Sequence, residues 1–280
     1  MNITQSLHKA VATVTALGAA FALSACFESE QVITVKKDGS GTVVTKMIMG
    51  AQAVAMMKAA QAQGGGAEGE KAKDPMLDPE QYKTKAAAMG DGVEFVDVKP
   101  LKLDDGREGA IATYKFADVR KLKAEPGDSP GGDEAAAGDA KKSQIAFGFT
   151  PGDNPKLTIV MPQPPKEEEK KKDDPAEPKV AEDDAQADAA MAMMAPMMQG
   201  MRVATKVKVE GEITKTNAAH KEGSTVTLMD IDMGKLLSNK EIMKKMKSPD
   251  DMKDFAKFAK IAKEAGATIE PSPEVTVEFK

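Results

Sequence analysis

Asp38-Gly39 stands between two β-rich runs, Gln31 to Lys37 and Ser40 to Met49, and the same arrangement returns along the chain. An Asp-Gly pair between such runs is a strong hairpin signal, because glycine reaches positive φ without steric cost. Val93 to Leu103 and Glu108 to Phe116 flank Asp105-Gly106, with Ala110, Ala112, Tyr114 and Phe116 on one face. Ile145, Phe147 and Phe149 alternate before the turn PGDNP; Leu157, Ile159 and Met161 alternate after it. Val203, Val207 and Val209 alternate with Lys206 and Lys208, and Ser224 to Ile231 supplies the returning strand. Four hairpins with one polar face each predict an antiparallel sheet. The final EVTVEFK adds a further strand, for about eight or nine in all.

Helices fall between the hairpins. Ala51 to Ala60 and Glu80 to Met89 read as short helices, and a third begins at Ser248-Pro249-Asp250-Asp251. There Ser248 is an N-cap, Pro249 suits the first helical position and Asp251 completes the capping box. Met252, Phe255, Phe258, Ala259 and Ala262 share one face of it, and Gly266 ends it. Three stretches, near 61–79, 125–142 and 162–188, are rich in Gly, Pro and blocks of charge. They hold too little apolar surface to offset the entropy of ordering, so they are expected to be disordered loops. Roughly 160 residues then remain for one core of ordinary size. The predicted fold is a single α+β domain over 26–280: an antiparallel sheet of hairpins packed with C-terminal helices and carrying long insertions.

Residues 1–25 are set apart. A short polar start with Lys9 precedes an apolar run from Ala10 to Ala22, too short to cross a bilayer core of about 30 Å as a helix. Such a segment reads as a secretory signal. Its last residues and the next, Leu23-Ser24-Ala25-Cys26, resemble the lipobox of bacterial lipoproteins. The resemblance implies cleavage before Cys26 and acylation of its thiol and new amino group, palmitate being the expected kind of chain. Cys26 is the only cysteine, and lipidation explains an unpaired thiol in an exported protein. Several acyl chains on one residue give stable anchoring. Phe27 follows where Asp would favour inner-membrane retention in enteric bacteria, so that resemblance favours the outer membrane. With strand-like residues starting near Val32, the expected tether spans only about 20 Å.

Composition closes several classes of function. Removing 1–25 takes one base, Lys9, from 39 basic side chains and none from 44 acidic ones, which leaves a net charge of −6. There is no Trp, there are two Tyr, and arginine occurs only at 107, 120 and 202. Nucleic-acid binding needs a basic field and stacking aromatics, so no nucleic-acid partner is expected. The mature chain keeps one histidine, His220, in the polar loop TNAAHKEGS. A Cys–His site is therefore impossible, and any Ser-His-Asp triad depends on that one loop residue. No internal disulfide can form, so packing must supply the stability. The expectation is a chain that is not an enzyme and carries no cofactor.

Two stretches resemble a family. The opening VITVKKDGSGTVVTKMIM is similar to the first hairpin of LppM-like domains of bacterial lipoproteins, and VKVEGEITKTNAAHKEGSTVTLMDIDMGKLL to their closing hairpin. The matching turn residues are Gly211, Asn217 and Gly223, while REGAIATYKF fits the second hairpin more loosely. What the resemblance implies is a non-enzymatic, envelope-anchored domain in which helices pack on a sheet.

Remaining candidates are weighed by their chemistry. Eighteen methionines remain after cleavage, densest in MAMMAPMMQGM. Thioethers suit Cu(I), which makes Met194, Met197 and Met198 a weak candidate metal set. The same residues lie on one helical stripe with Met201, and packing or a partner-binding face is the favoured reading. Asp230 and Asp232 share a strand face and read as a polar edge rather than opposed acid–base groups. Lys244, Lys245, Lys247, Lys253, Lys257, Lys260 and Lys263 concentrate positive charge in the last helices, either a solvated face or a surface toward lipid headgroups. The leading expectation is a membrane-anchored envelope lipoprotein that binds an envelope protein or serves as a structural element. The alternative is an apolar-ligand (lipid) carrier lined by Phe147, Phe149, Phe255 and Phe258.

Overall fold

The computed structural model describes residues 27–63, 74–125, 144–162, 200–238, 242 and 255–280. The fold is α+β, as expected from the sequence, and among the described residues it has twelve strands in two sheets. The first hairpin pairs β1 (Phe27–Val35) with β2 (Gly41–Met49) in register from Phe27↔Met49 to Val35↔Gly41. Its turn has Gly39 at φ +84°, and Asp38 Oδ1 accepts from the Ser40 amide at 2.9 Å and hydroxyl at 2.7 Å. The second hairpin, β3 (Val93–Lys102) with β4 (Glu108–Phe116), repeats this device: Gly106 has φ +82° and Asp105 accepts from the Arg107 amide at 3.1 Å. Between the hairpins lie α1 (Ala51–Gln63) and α2 (Pro79–Ala88). Asp78 caps α2 by accepting from Glu80 N at 3.1 Å, and Pro79 takes its first position.

The segment expected to be a loop near 61–79 is shorter than its composition suggests. Residues 61–63 extend α1, and Pro75–Leu77 form a 3₁₀ turn capped by Asp74. Tyr82 fixes that turn by donating its hydroxyl to Met76 O at 2.5 Å. Residues 64–73, 126–143 and 163–199, most of the predicted loops, lie outside the described residues.

Downstream come β5 (Ala146–Thr150), β6 (Lys156–Val160), β7 (Arg202–Val209), β8 (Ile213–Thr216), β9 (Lys221–Glu222) and β10 (Thr225–Asp232). They are followed by α3 (Met233–Ser238), α4 (Phe255–Glu264), β11 (Thr268–Ile269) and β12 (Glu274–Phe279). Ser248 and its capping box lie outside the described residues, while Gly266, at φ +86°, ends α4 as expected.

Two features depart from a single antiparallel sheet. First, β1 pairs with β7 in parallel, Glu28↔Arg202 through Val35↔Val209, so the larger sheet is mixed, in the order β11-β10-β7-β1-β2-β4-β3, with β9 beside β10. Second, the third hairpin and the last strand build a separate sheet, β5-β6-β12-β8. The chain crosses between sheets just after β7. Glu210 N still donates to Val35 O at 2.8 Å, whereas Glu212 and Lys280 exchange backbone bonds at 3.0 Å.

The sheets bury their apolar faces against each other. Ile33, Val35, Val43, Ala112, Tyr114 and Val207 from the larger sheet share one cluster with Phe147, Leu157, Ile159, Val275, Val277 and Phe279 from the smaller. Full burial of each Val, Leu, Ile or Phe among them contributes about 1.5–3 kcal/mol. Helix α2 adds Ala86 at one side, and Tyr82 stacks on Phe95, with ring centroids 5.7 Å apart. A second cluster gathers Met229, Ile231, Met233, Leu236, Ile261 and Ala262 under α3 and α4. A β-bulge connects the two: β10 gains a residue between Thr227 and Met229, so Leu228 enters the main cluster and Met229 the second.

Candidate functional site

Strand β1 begins at Phe27, the residue after Cys26. The expected tether up to Val32 is therefore absent: residues 27–31 are already paired with both β2 and β7, apart from Phe27, which pairs with β2. Cys26 itself lies outside the described residues, as do Met194, Met197 and Met198.

The end of the sheet that begins at Phe27 carries a connected set of charges. On the outer face of β1, Glu28 accepts from Arg107 Nη1 at 2.5 Å and Glu30 from Lys206 Nζ at 2.6 Å. On the neighbouring pair, Arg202 forks onto Asp230, with Nε to Oδ1 at 2.9 Å and Nη2 to Oδ2 at 2.7 Å. This pairing, reinforced by the nearby charges of Glu28 and Glu30, holds the Arg202 guanidinium above its ordinary pKa despite partial burial. Asp105 does the same for Arg107, with a smaller contribution from Glu28.

Arg202, Asp230, Asp232, Lys235, Leu236 and Thr268 line a cleft of about 340 Å³ beside α3 and the end of α4. A smaller groove of about 30 Å³, lined by Glu28, Glu30, Lys46, Ile48 and Arg202, shares Arg202 with it. The cleft is polar, and its acids are engaged. Asp230 holds Arg202, while Asp232 caps α3 by accepting from Lys235 N at 3.0 Å and lies 3.5 Å from Lys235 Nζ. Two carboxylates on one strand face, each facing its own cation, form an ion-paired edge rather than an acid–base couple.

Neither Phe147 nor Phe149 lines either cleft. Phe147 is 7% exposed within the main cluster, and Phe149 packs half-buried over Gly39. Phe255 and Phe258 fall on α4, but their side chains lie outside the described residues. His220 sits half-buried in the loop, where its backbone carbonyl accepts from Thr227 N at 2.9 Å. Of the turn residues behind the family resemblance, Asn217 has a definite task. Its side chain donates to Glu274 O at 2.9 Å and accepts from Thr276 N at 2.7 Å, behaving as an extra peptide group beside β12. No group of three or more His, Cys, Asp or Glu among the described residues is arranged to hold a metal ion.

Sequence reading missed the charged ladder of Glu28, Glu30, Arg202, Lys206 and Arg107. The local signal was present, since Glu28 and Glu30 alternate, as do Lys206 and Lys208. What assembles it is the parallel β1–β7 pairing between segments some 170 residues apart, which no local pattern specifies.

No family model matches the chain, and no curated protein matches it. The solved NMR structure of the folded domain of Mycobacterium tuberculosis LppM is similar to it over 75% of this chain and 85% of that domain. The identity is 13% and the TM-score 0.26, and a likeness of that degree carries no argument about function.

Proposed function

We propose that this chain is a non-catalytic lipoprotein of a bacterial cell envelope, acylated at Cys26, which acts by binding an envelope partner or as a structural element. The observation that carries the reading is the start of β1 at Phe27. A body ordered from the residue after the acylation site has no slack with which to roam, and a short, stiff attachment suits a component fixed at a membrane surface. The cleft chemistry supports the non-catalytic part. Arg202, Asp230, Asp232 and Lys235 are committed to one another or to a helix cap, and none is poised as the general base or nucleophile that catalysis requires.

Packing favours this reading over an apolar-ligand carrier. Leu157, Ile159, Val275, Val277 and Phe279 are all fully buried between the sheets, so this part of the interior is filled by side chains rather than left for a lipid. The test is fractionation of cells expressing the full chain or Cys26→Ser, with intact mass measured for each. The expected outcome is an acylated wild type in the membrane fraction and a soluble variant. A soluble wild type whose mature amino terminus lies elsewhere, with a free thiol at 26, overturns the proposal. Mass spectrometry of cross-linked, co-purifying proteins and lipids then separates a binding role from a carrier.

A further inference from the structure

Helix α1 is unusual for a helix on a water-exposed surface. Its sequence, AQAVAMMKAAQAQ, holds one charged residue, Lys58, and that residue is paired with Glu108 at 2.8 Å. Val54 is its buried contact at 3% exposure, yet Met56 is 65% exposed, the most exposed large apolar side chain among the described residues. Ala55 and Ala59 beside it are also exposed. A helix packed on a globular body normally turns charged and polar groups outward; here the exposed residues described on α1 are Ala51, Ala55, Met56 and Ala59 beside the one lysine, Lys58.

Its position supplies the reason. Met49, the last residue of β2, pairs with Phe27, the first of β1, and α1 starts two residues later. Paired Cα atoms in an antiparallel ladder lie about 4.5–5.5 Å apart, which puts the start of α1 within about 13 Å of Phe27. The other helices hang from the same end. Met233, opening α3, donates its amide to Met201 O at 2.8 Å, and the adjacent Arg202 pairs with Glu28. Lys260 and Lys263 on α4 are exposed, and cations of this kind are attracted to anionic headgroups. The Asp38-Gly39 turn lies at the opposite end of β1, roughly 26–30 Å away along the strand.

We propose that the outer face of α1, centred on Met56, rests in the headgroup region of the membrane that holds Cys26, with the Asp38-Gly39 turn pointing away from it. The proposal rests on acylation at Cys26 and extends it from a tether to a defined orientation. A helix surface that is mostly apolar, on a body that also carries exposed lysines, is a composition that partitions to an interface. Attachment through the neighbouring strand holds it there at high local concentration.

The experiment uses the full, processed chain, in which acylated Cys26 takes no thiol reagent. Met56→Cys, Ala59→Cys and Lys37→Cys are each labelled with bimane and reconstituted into phosphatidylethanolamine/phosphatidylglycerol vesicles containing a headgroup-region spin-labelled lipid. The expected result is several-fold stronger quenching at 56 and 59 than at 37, with all three proteins floating with the vesicles. Flotation with equal quenching at the three positions overturns the orientation while leaving the anchor intact. So does quenching at 37 alone, which would set the turn rather than α1 at the headgroups; equally weak quenching at all three is what a cover over α1 by another part of this chain or a second copy would give. Failure of the processed chain to float, with a thiol at 26 that takes the label, overturns the acylation and this inference together.

Discussion

Replacing Asn217 with alanine tests whether one side chain extends the smaller sheet. Strand β8 pairs with β12 from Phe279↔Ile213 through Glu278↔Lys215 to Val277↔Thr216, where the ladder stops. Beyond that point Asn217 takes over, donating to Glu274 O at 2.9 Å and accepting from Thr276 N at 2.7 Å. Its amide thus does for β12 what one more residue of β8 would have done. Asn217→Ala removes two hydrogen bonds, each contributing about 0.5–1.5 kcal/mol net. Both lie at an exposed edge where water can replace the lost partner, so the expected loss is about 1–2 kcal/mol in total. For a body of this size that corresponds to a fall in Tm of roughly 2–8 °C. The assay is urea unfolding followed by circular dichroism, together with hydrogen exchange at the Thr276 amide. The midpoint is expected to fall without a change in slope, and Thr276 to lose protection while the amides of β1 keep theirs. A stability change under about 0.3 kcal/mol with unchanged protection at Thr276 would refute the reasoning.

Gly109→Ala is expected to cost more than about 3 kcal/mol, because its new Cβ would sit 1.9 Å from the Met47 carbonyl oxygen, a backbone atom held by the β2–β4 ladder; thermal unfolding or failure to accumulate folded protein checks it. Acid is expected to destabilise the protein in a defined window. Hydrogen bonds from Ser40, Lys99, Arg107, Lys58 and Arg120 hold Asp38, Asp97, Asp105, Glu108 and Asp118 below their ordinary pKa values of 3.8 for Asp and 4.5 for Glu. A carboxylate with a lowered folded pKa contributes stability that is fully present above its unfolded value and lost as pH falls through the folded one. The urea midpoint should therefore be insensitive to these groups from about pH 5 to 8 and decline below about pH 4, less steeply at high salt. A midpoint unchanged down to pH 2.5 would contradict it.

Much of the fold was legible locally because hairpins write themselves in short stretches. Asp38-Gly39 and Asp105-Gly106 mark their turns, and the alternation of Ala110, Ala112, Tyr114 and Phe116 already names the buried face of β4, as their low exposures bear out. The site was less legible. Asp230 and Asp232 read correctly as a polar edge, but the partner of Asp230, Arg202, comes from the adjacent strand 28 residues earlier. Glu28 and Glu30 lay unremarked because the strand was expected to start near Val32. The sequence there, FESEQ, is too polar to read as a buried strand, and it is pairing on both sides that holds it in the sheet.

The sequence by itself determined the α+β class, the hairpins and their inward faces, since those follow from a period of two and from glycine at turns, properties of a few neighbouring residues. Tertiary structure alone decided that β1 and β7 run parallel at the centre of a mixed sheet. It also decided that the third hairpin leaves for a second sheet with β8 and β12, and that α1 starts at the end of the sheet where Phe27 pairs with Met49. These are choices among pairings that local patterns satisfy equally well. Only the shared burial of apolar faces across the whole chain distinguishes them.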